Sequence, residues 1–324
     1  MNIFIDRHHD GLFGSLIRLF EDRLGHKVYF PIGTDWFQQN YWLLAEPYGN
    51  DPGTVSQYLA IREKDPRAIT LEQFKHMDID VVVASYSPHI PVYADLIKKF
   101  KPKAKLIHQQ GNEWNIDFSI VKNLLSSCKP YKIPKGVHAV WYHQEFPQEI
   151  YYYQSPSIMS VFMRSFVNTL GQQDMFHKDW EDFKDLELLL PNYVFESYGA
   201  STRDGVINDK ETIADKMRES LFGIHLKTGG DGYGHTIHQW ASVGRPLIYR
   251  SSQYKDRLAE SLLVNTVTGF DLDHYPLGEV ALMINKMSFD QYSRMCRAIH
   301  DEFQNSCDFD SEAEAIKTFL SNLK

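Results

Sequence analysis

The chain has 324 residues, enough for two domains of ordinary size. A composition of 43% hydrophobic and 23% charged residues excludes a disordered polymer. The 34 Lys and Arg against 42 Asp and Glu give a net −8, which argues against a surface that binds nucleic acid or anionic membrane over its whole extent. In chain order, Asn2–Ile5 (NIFI) predicts a short buried strand, followed by a polar loop over 6–11. Leu12, Leu16, Leu19, Phe20 and Leu24 recur at helical spacing, Gly25 is a natural stop, and Lys27–Phe30 is the next strand. That is a βαβ opening with parallel strands. Trp36–Gly53 is rich in aromatics, Pro and Gly and reads as an insertion or long loop. Asp80–Ala84, Ala104–His108 and Val137–Trp141 predict further strands, with a helix over Val92–Phe100.

The second half repeats the alternation. Tyr193–Glu196, Phe222–Leu226 and Pro246–Tyr249 read as strands, Lys210–Ser220 and Thr236–Val243 as helices. From Pro276 onward the pattern is helical: Leu277–Lys286, Phe289–Phe303 and Ser311–Leu323. This predicts two doubly wound α/β halves with a helical tail. The boundary falls near Tyr151–Ser165, where YYYQSPS interrupts the rhythm and the aromatic run to Phe166 reads as a buried connector. The expected domains are 1–160 and 161–324, with the last helix able to pack back on the first. Open parallel sheets bind ligands at the carboxyl ends of their strands, so the loops there carry the candidate residues.

The most informative of these is Lys227–Pro246, KTGGDGYGHTIHQWASVGRP, between a predicted strand and a predicted helix. Gly229, Gly230, Gly232 and Gly234 leave backbone N–H groups uncovered, and the helix starting near His235 adds its positive end. With Lys227 beside it, this suits a phosphate or diphosphate. The alternative is a glycine-rich turn without a ligand. It is neither a Walker loop nor a dinucleotide fingerprint, because Gly-Lys-Ser/Thr and GxGxxG are both absent.

The segment resembles the C-terminal nucleotide-sugar motif of GT-B glycosyltransferases, particularly retaining ones with an E-x-F-G-x4-E donor motif. Asp231-Gly232-Tyr233-Gly234 stands where E-x-F-G stands, Gln239 holds the second glutamate position, and Gly244 and Pro246 supply the following G-x-P. The N-terminus resembles the same family, with a glycine loop (Gly11, Gly14) and Gly25-His26-Lys27-Val28 in place of G-H-x-V. The resemblance implies two facing Rossmann-like domains and metal-independent transfer of a sugar, with retention. The donor would be a UDP- or GDP-sugar and no cofactor would be tightly bound. Asp231 would approach the sugar and Gln239 would hold the ribose; Gln239 keeps an acceptor oxygen but lacks the charge of Glu. Tyr233 and His235 complete the donor loop. Arg164, Arg203, Arg245 and Lys227 are candidates for the diphosphate cation.

Acceptor candidates come from the first half. His8, His9, Asp10 and Gly11 follow the first strand; His9 and Asp10 would supply a base in an inverting reaction. His108, Gln110, Gly111 and Asn112 follow a later strand and read as sugar- or acceptor-binding, or as a helix-initiating turn. His225, His235 and His238 lack the carboxylate or third ligand expected of a zinc site, so no metal is expected. Tyr198, after a strand, could stack on a base, though packing explains it equally. Residues 98–135 hold nine lysines against Glu113 and Asp117, a local +7, which reads as solvated surface or as docking for an acidic acceptor.

The acceptor class stays open among a glycan, a lipid head group, a small molecule and modified DNA. Other readings are a phage-type glycosyltransferase of modified DNA bases, a nucleotide-sugar epimerase, and a non-catalytic nucleotide-sugar-binding module. Cys128, Cys296 and Cys307 are too few for a disulfide framework, no leader pattern is present, and no apolar run reaches the ~18 residues of a membrane span. A cytoplasmic protein is therefore expected.

Overall fold

The computed structural model describes residues 1–7, 10–32, 36, 65–111, 116–128, 133–157, 161–166, 177–199 and 202–324. His8, His9, Asn112 and almost all of the predicted insertion lie outside them, as does the side chain of Asp10. The chain divides into two compact units: Met1–Phe146 with Phe309–Lys324, and Pro147–Asp308.

The first unit holds a parallel sheet of β1 (Asn2–Ile5), β2 (Lys27–Pro31), β3 (Ala68–Ile69), β4 (Val81–Ala84), β5 (Lys105–Gln110), β6 (Asn123–Ser126) and β7 (His138–Trp141). Their spatial order is β3-β2-β1-β4-β5-β6-β7. β4 reads VVVA and is buried on both faces, as a central parallel strand requires. Alternation along β1 sends Ile3 and Ile5 to one face and Phe4 to the other. Ile3 and Ile5 pack with Leu16 and Phe20 from the segment over α1 (Asp10–Ile17) and the π-helical turn Arg18–Arg23. Phe319 and Leu320 of the last helix, Phe309–Ser321, join the same cluster. On the other face Phe4 packs with Phe74 from α2 (Leu71–His76) and Ile90 and Tyr93 from α3 (Ile90–Phe100).

The second unit holds β8 (Phe162–Phe166), β9 (Val194–Tyr198), β10 (Ser220–Ile224), β11 (Leu247–Tyr249) and β12 (Gly269–Asp271), in the order β12-β11-β10-β8-β9. All four pairings are parallel. Its helices are α4 (His177–Leu189), α5 (Lys210–Glu219), α6 (His235–Ser242), α7 (Leu277–Lys286) and α8 (Phe289–Ser306), and the first unit's last helix is α9 (Phe309–Ser321). The structure corrects one expectation here. The end of the aromatic run is not connector but β8, an interior strand paired with both β9 and β10.

Each strand order reverses once. In the first sheet the reversal falls between β1 and β4, in the second between β8 and β10. In open α/β sheets, such switch points are where ligands bind, outside the carboxyl ends of the strands. No helix among the described residues is long and apolar enough to cross a membrane.

Candidate functional site

The glycine segment leaves β10 at the second sheet's switch point and enters α6. Asp179 of α4, fully buried, fixes its start: Thr228 donates from N (2.6 Å) and Oγ1 (3.0 Å) to that carboxylate. Lys227 N donates to Gln253 Oε1 at 2.7 Å, and Gly230 N closes a turn on Lys227 O at 2.9 Å. Gly229 and Gly230 have φ of 89° and 82°, the left-handed region that glycine alone adopts without cost. A side chain at Gly230 would also put its Cβ 2.6 Å from the Gln253 carbonyl oxygen.

Lys227 Nζ meets Asp231 Oδ1 at 2.9 Å, and the same oxygen accepts Gly232 N–H at 3.0 Å. Burial pushes the Asp231 carboxyl up, but Lys227, His225 and the Gly232 N–H outweigh it and hold it below the usual carboxylate range. Gly234, with φ 77°, is the N-cap of α6, and no side chain caps that helix. Its first turn therefore presents backbone N–H groups and the positive end of the dipole. Gln239, one turn further on, is half-buried, and its amide makes no hydrogen bond among the described residues. Lys227, the glycines, Asp231 and Gln239 thus share one local structure that can receive an anion and a polar ligand.

Tyr233 and the histidines pack in and beside that loop, and the arginine candidates are held elsewhere. Tyr233 is buried and stacks on His238, ring centroids 4.0 Å apart. His238 Nδ1 contacts the Gly234 carbonyl at 2.9 Å, beside half-buried His235. His225 bonds through Nδ1 to the Tyr254 hydroxyl, and burial pushes its pKa down to about 4. Arg164 sits inside β8, where its Nε donates to Glu196 at 2.5 Å and Nη1 to the Lys216 carbonyl and Ser220 Oγ. Arg245 donates to the Arg218 and Gln154 carbonyls, and Arg203 to Glu187 and the Phe195 carbonyl. Of the four cations weighed for the diphosphate, Lys227 is the one on the loop. Tyr198 stacks on Phe166, with Lys216 over its ring.

In the first unit, Gly11 lies in the first turn of α1. β5 runs two residues beyond its predicted end at His108, so Gln110 is a buried strand residue and not a loop residue, and His108 is buried within the strand. His108 Nδ1 lies 3.1 Å from the Ala84 carbonyl, and burial holds the ring neutral with a pKa of about 4. Gln110 Oε1 accepts from Ser126 Oγ at 2.9 Å. Lys98 and Lys99 end α3, Lys101 and Lys103 follow it and Lys105 opens β5, so this part of the basic stretch lies at the amino end of β5.

Sequence reasoning missed what fills the first switch point. Asp6, the residue after β1, is buried, and Oδ2 meets His89 Nδ1 at 2.7 Å. Its Oδ1 accepts the Tyr93 hydroxyl at 2.9 Å and Arg7 N–H at 2.8 Å. Ser85 N–H, after β4, approaches Oδ2 at 3.4 Å. The available signal was a carboxylate directly after a buried first strand.

No protein-family model matches the chain, and no curated protein matches it. Solved structures do. Anabaena HepE in complex with UDP matches with a TM-score of 0.68 at 13% identity, over 99% of this chain and all of that one. The same protein with UDP and glucose gives 0.66 at 14%, over 99% of each chain. A glycosyltransferase from Rickettsia africae gives 0.61 at 14%, over 99% of this chain and 98% of that one. The chain has the GT-B fold. In this GT-B chain the glycine loop occupies the switch point of the second Rossmann-like unit, and the Asp6 cluster that of the first.

Proposed function

We propose that this protein is a glycosyltransferase that moves a sugar from a nucleotide-sugar, with UDP-glucose the first donor to test. The observation that carries this reading is the Lys227–Gly234 loop at a switch point, on a fold whose neighbour HepE was solved with UDP-glucose. Departure of a nucleoside diphosphate develops negative charge. Lys227, the N–H groups of Gly229 and Gly234 and the start of α6 are preorganised to stabilise it, which supports a metal-independent reaction. Gln239 would hold the ribose and Asp231 the sugar, with retention at the anomeric carbon. The acceptor would be met by the first unit through Gly11, His8, Asn112 and their neighbours; in an inverting reaction, His9 and Asp10 are the bases to test. Three free, buried cysteines fit a cytoplasmic location.

A thermal-shift screen of UDP, UDP-glucose and GDP-sugars tests the donor, because a bound ligand stabilises the fold by mass action. Lys227→Ala is expected to weaken nucleoside-diphosphate binding by about 1–3 kcal/mol, the scale of a hydrogen bond to a charged group. Unchanged affinity by calorimetry would remove Lys227 from the site. Product analysis by NMR separates transfer from epimerisation, and a product indistinguishable from the donor would favour a binding module.

A further inference from the structure

A cavity lies in the second unit, formed by the turn before β12, by α7 and by α8. It is a groove of about 650 Å³, within the range of small-molecule sites. Phe270 and Met295, both buried, are part of its lining, together with half-buried Met283 and Met287. Leu282 and Val267 also line it and are 56% and 45% exposed, an unusual placement for large apolar side chains beside a cavity. Three methionines make an adaptable apolar lining.

Two further observations mark this groove. Thr266 lines it with φ 64°, a left-handed backbone that is a genuine outlier for a β-branched residue. The turn is fixed by Thr266 N donating to Gly269 O at 2.8 Å, and such enforced conformations cluster at ligand sites. The charged residues are also arranged unevenly. Lys286 ends α7, and Arg294 lies in the second turn of α8; neither forms an ion pair among the described residues. Glu279, the one acidic lining residue, stands seven positions before Lys286, about 10 Å along the helix axis.

We propose that this groove binds a single-chain fatty carboxylate, its head group on Lys286 and Arg294 and its alkyl chain along Met283, Met287 and Phe270. The cations select the head group's sign, and the planar guanidinium of Arg294 matches a carboxylate in a way an ammonium does not. The methionines accept a flexible chain without demanding one shape. Glu279 fixes the direction of the chain, because reversal would set the carboxylate against it. This site is separate from the glycine loop and does not depend on the donor reading.

The test is calorimetry of the full chain with dodecanoate below its micellar concentration, beside dodecyltrimethylammonium and acetate. One-to-one saturable binding of dodecanoate is expected, with the cationic amphiphile at least tenfold weaker and acetate silent. The double variant Lys286→Glu/Arg294→Glu should lose at least tenfold in affinity for dodecanoate. Leu282→Asp, at an exposed position, should abolish binding while leaving the unfolding midpoint within a degree or two. Equal binding of both amphiphiles, or no saturable binding, overturns the proposal. So does a dimer, by sedimentation, that dissociates in Leu282→Asp, since a second copy would then cover the groove.

Discussion

Asp6→Ala is expected to cost the first unit about 3–5 kcal/mol, the scale of removing one partner from a buried charged cluster. The wild-type carboxylate lies at 1% exposure and serves His89 Nδ1, the Tyr93 hydroxyl and the Arg7 N–H at 2.7, 2.9 and 2.8 Å. Alanine removes all of these acceptors together and leaves their donors in a core that also contains Phe4 and Ile90. Asp6→Asn keeps the shape and one acceptor oxygen but turns an N–H₂ group toward a donor, so an intermediate loss is expected. Tyr93→Phe removes one bond to a charged acceptor and is expected to cost about 1.5–3 kcal/mol. Urea unfolding measures all three. A loss below about 1 kcal/mol for Asp6→Ala would mean that water replaces the carboxylate and that the cluster is not a closed hub.

The contrast between the two switch points explains what could be read from sequence. The glycine loop is local: Lys227, Asp231 and Gln239 lie within 13 residues, so strand, turn and helix signals appear together. The Asp6 cluster joins residues 83 and 87 positions apart, which no motif spacing displays. Strands buried on both faces, such as VVVA in β4, are visible as apolar runs. β8 is hidden because FMRSF carries an arginine at its centre, and it is the partners of Arg164 on neighbouring elements, Glu196, the Lys216 carbonyl and Ser220, that make that residue tolerable in a core. β6 (NLLS) is short and polar at both ends, and it escaped the reading. Its absence from the sequence pattern is also why Gln110 reads as a loop residue. β5 extends to Gln110 because Gln109 and Gln110 pair with Leu125 and Ser126 of β6. Without that partner strand, the polar residues looked like a loop.

Those same buried strand ends set the protein's response to acid. His108 and His225 each stand at about pKa 4 when folded, against 6.5 when unfolded, and burial is the largest cause for both. A folded pKa below the unfolded one means that the unfolded chain binds the extra proton. Stability is then intact above about pH 6.5, falls as pH drops toward 4, and loses nothing more to these groups below that. The difference corresponds to about 3 kcal/mol for each histidine. One lies in the first unit and one in the second, so both units should weaken. Asp231 works in a different window. Its carboxyl is depressed below 3.8, so its contribution is present above that pH and disappears only at lower pH. Urea unfolding between pH 7 and pH 4.5 therefore leaves Asp231 out of account, while His26, also lowered by burial, adds to the first unit's response. His225→Gln removes the titration while keeping a side chain able to bond Tyr254, and His108→Asn keeps a donor for the Ala84 carbonyl. Each variant should flatten the pH dependence of its own unit and leave the other unchanged. Parallel losses in wild type and variant would show that groups other than these imidazoles carry the pH dependence.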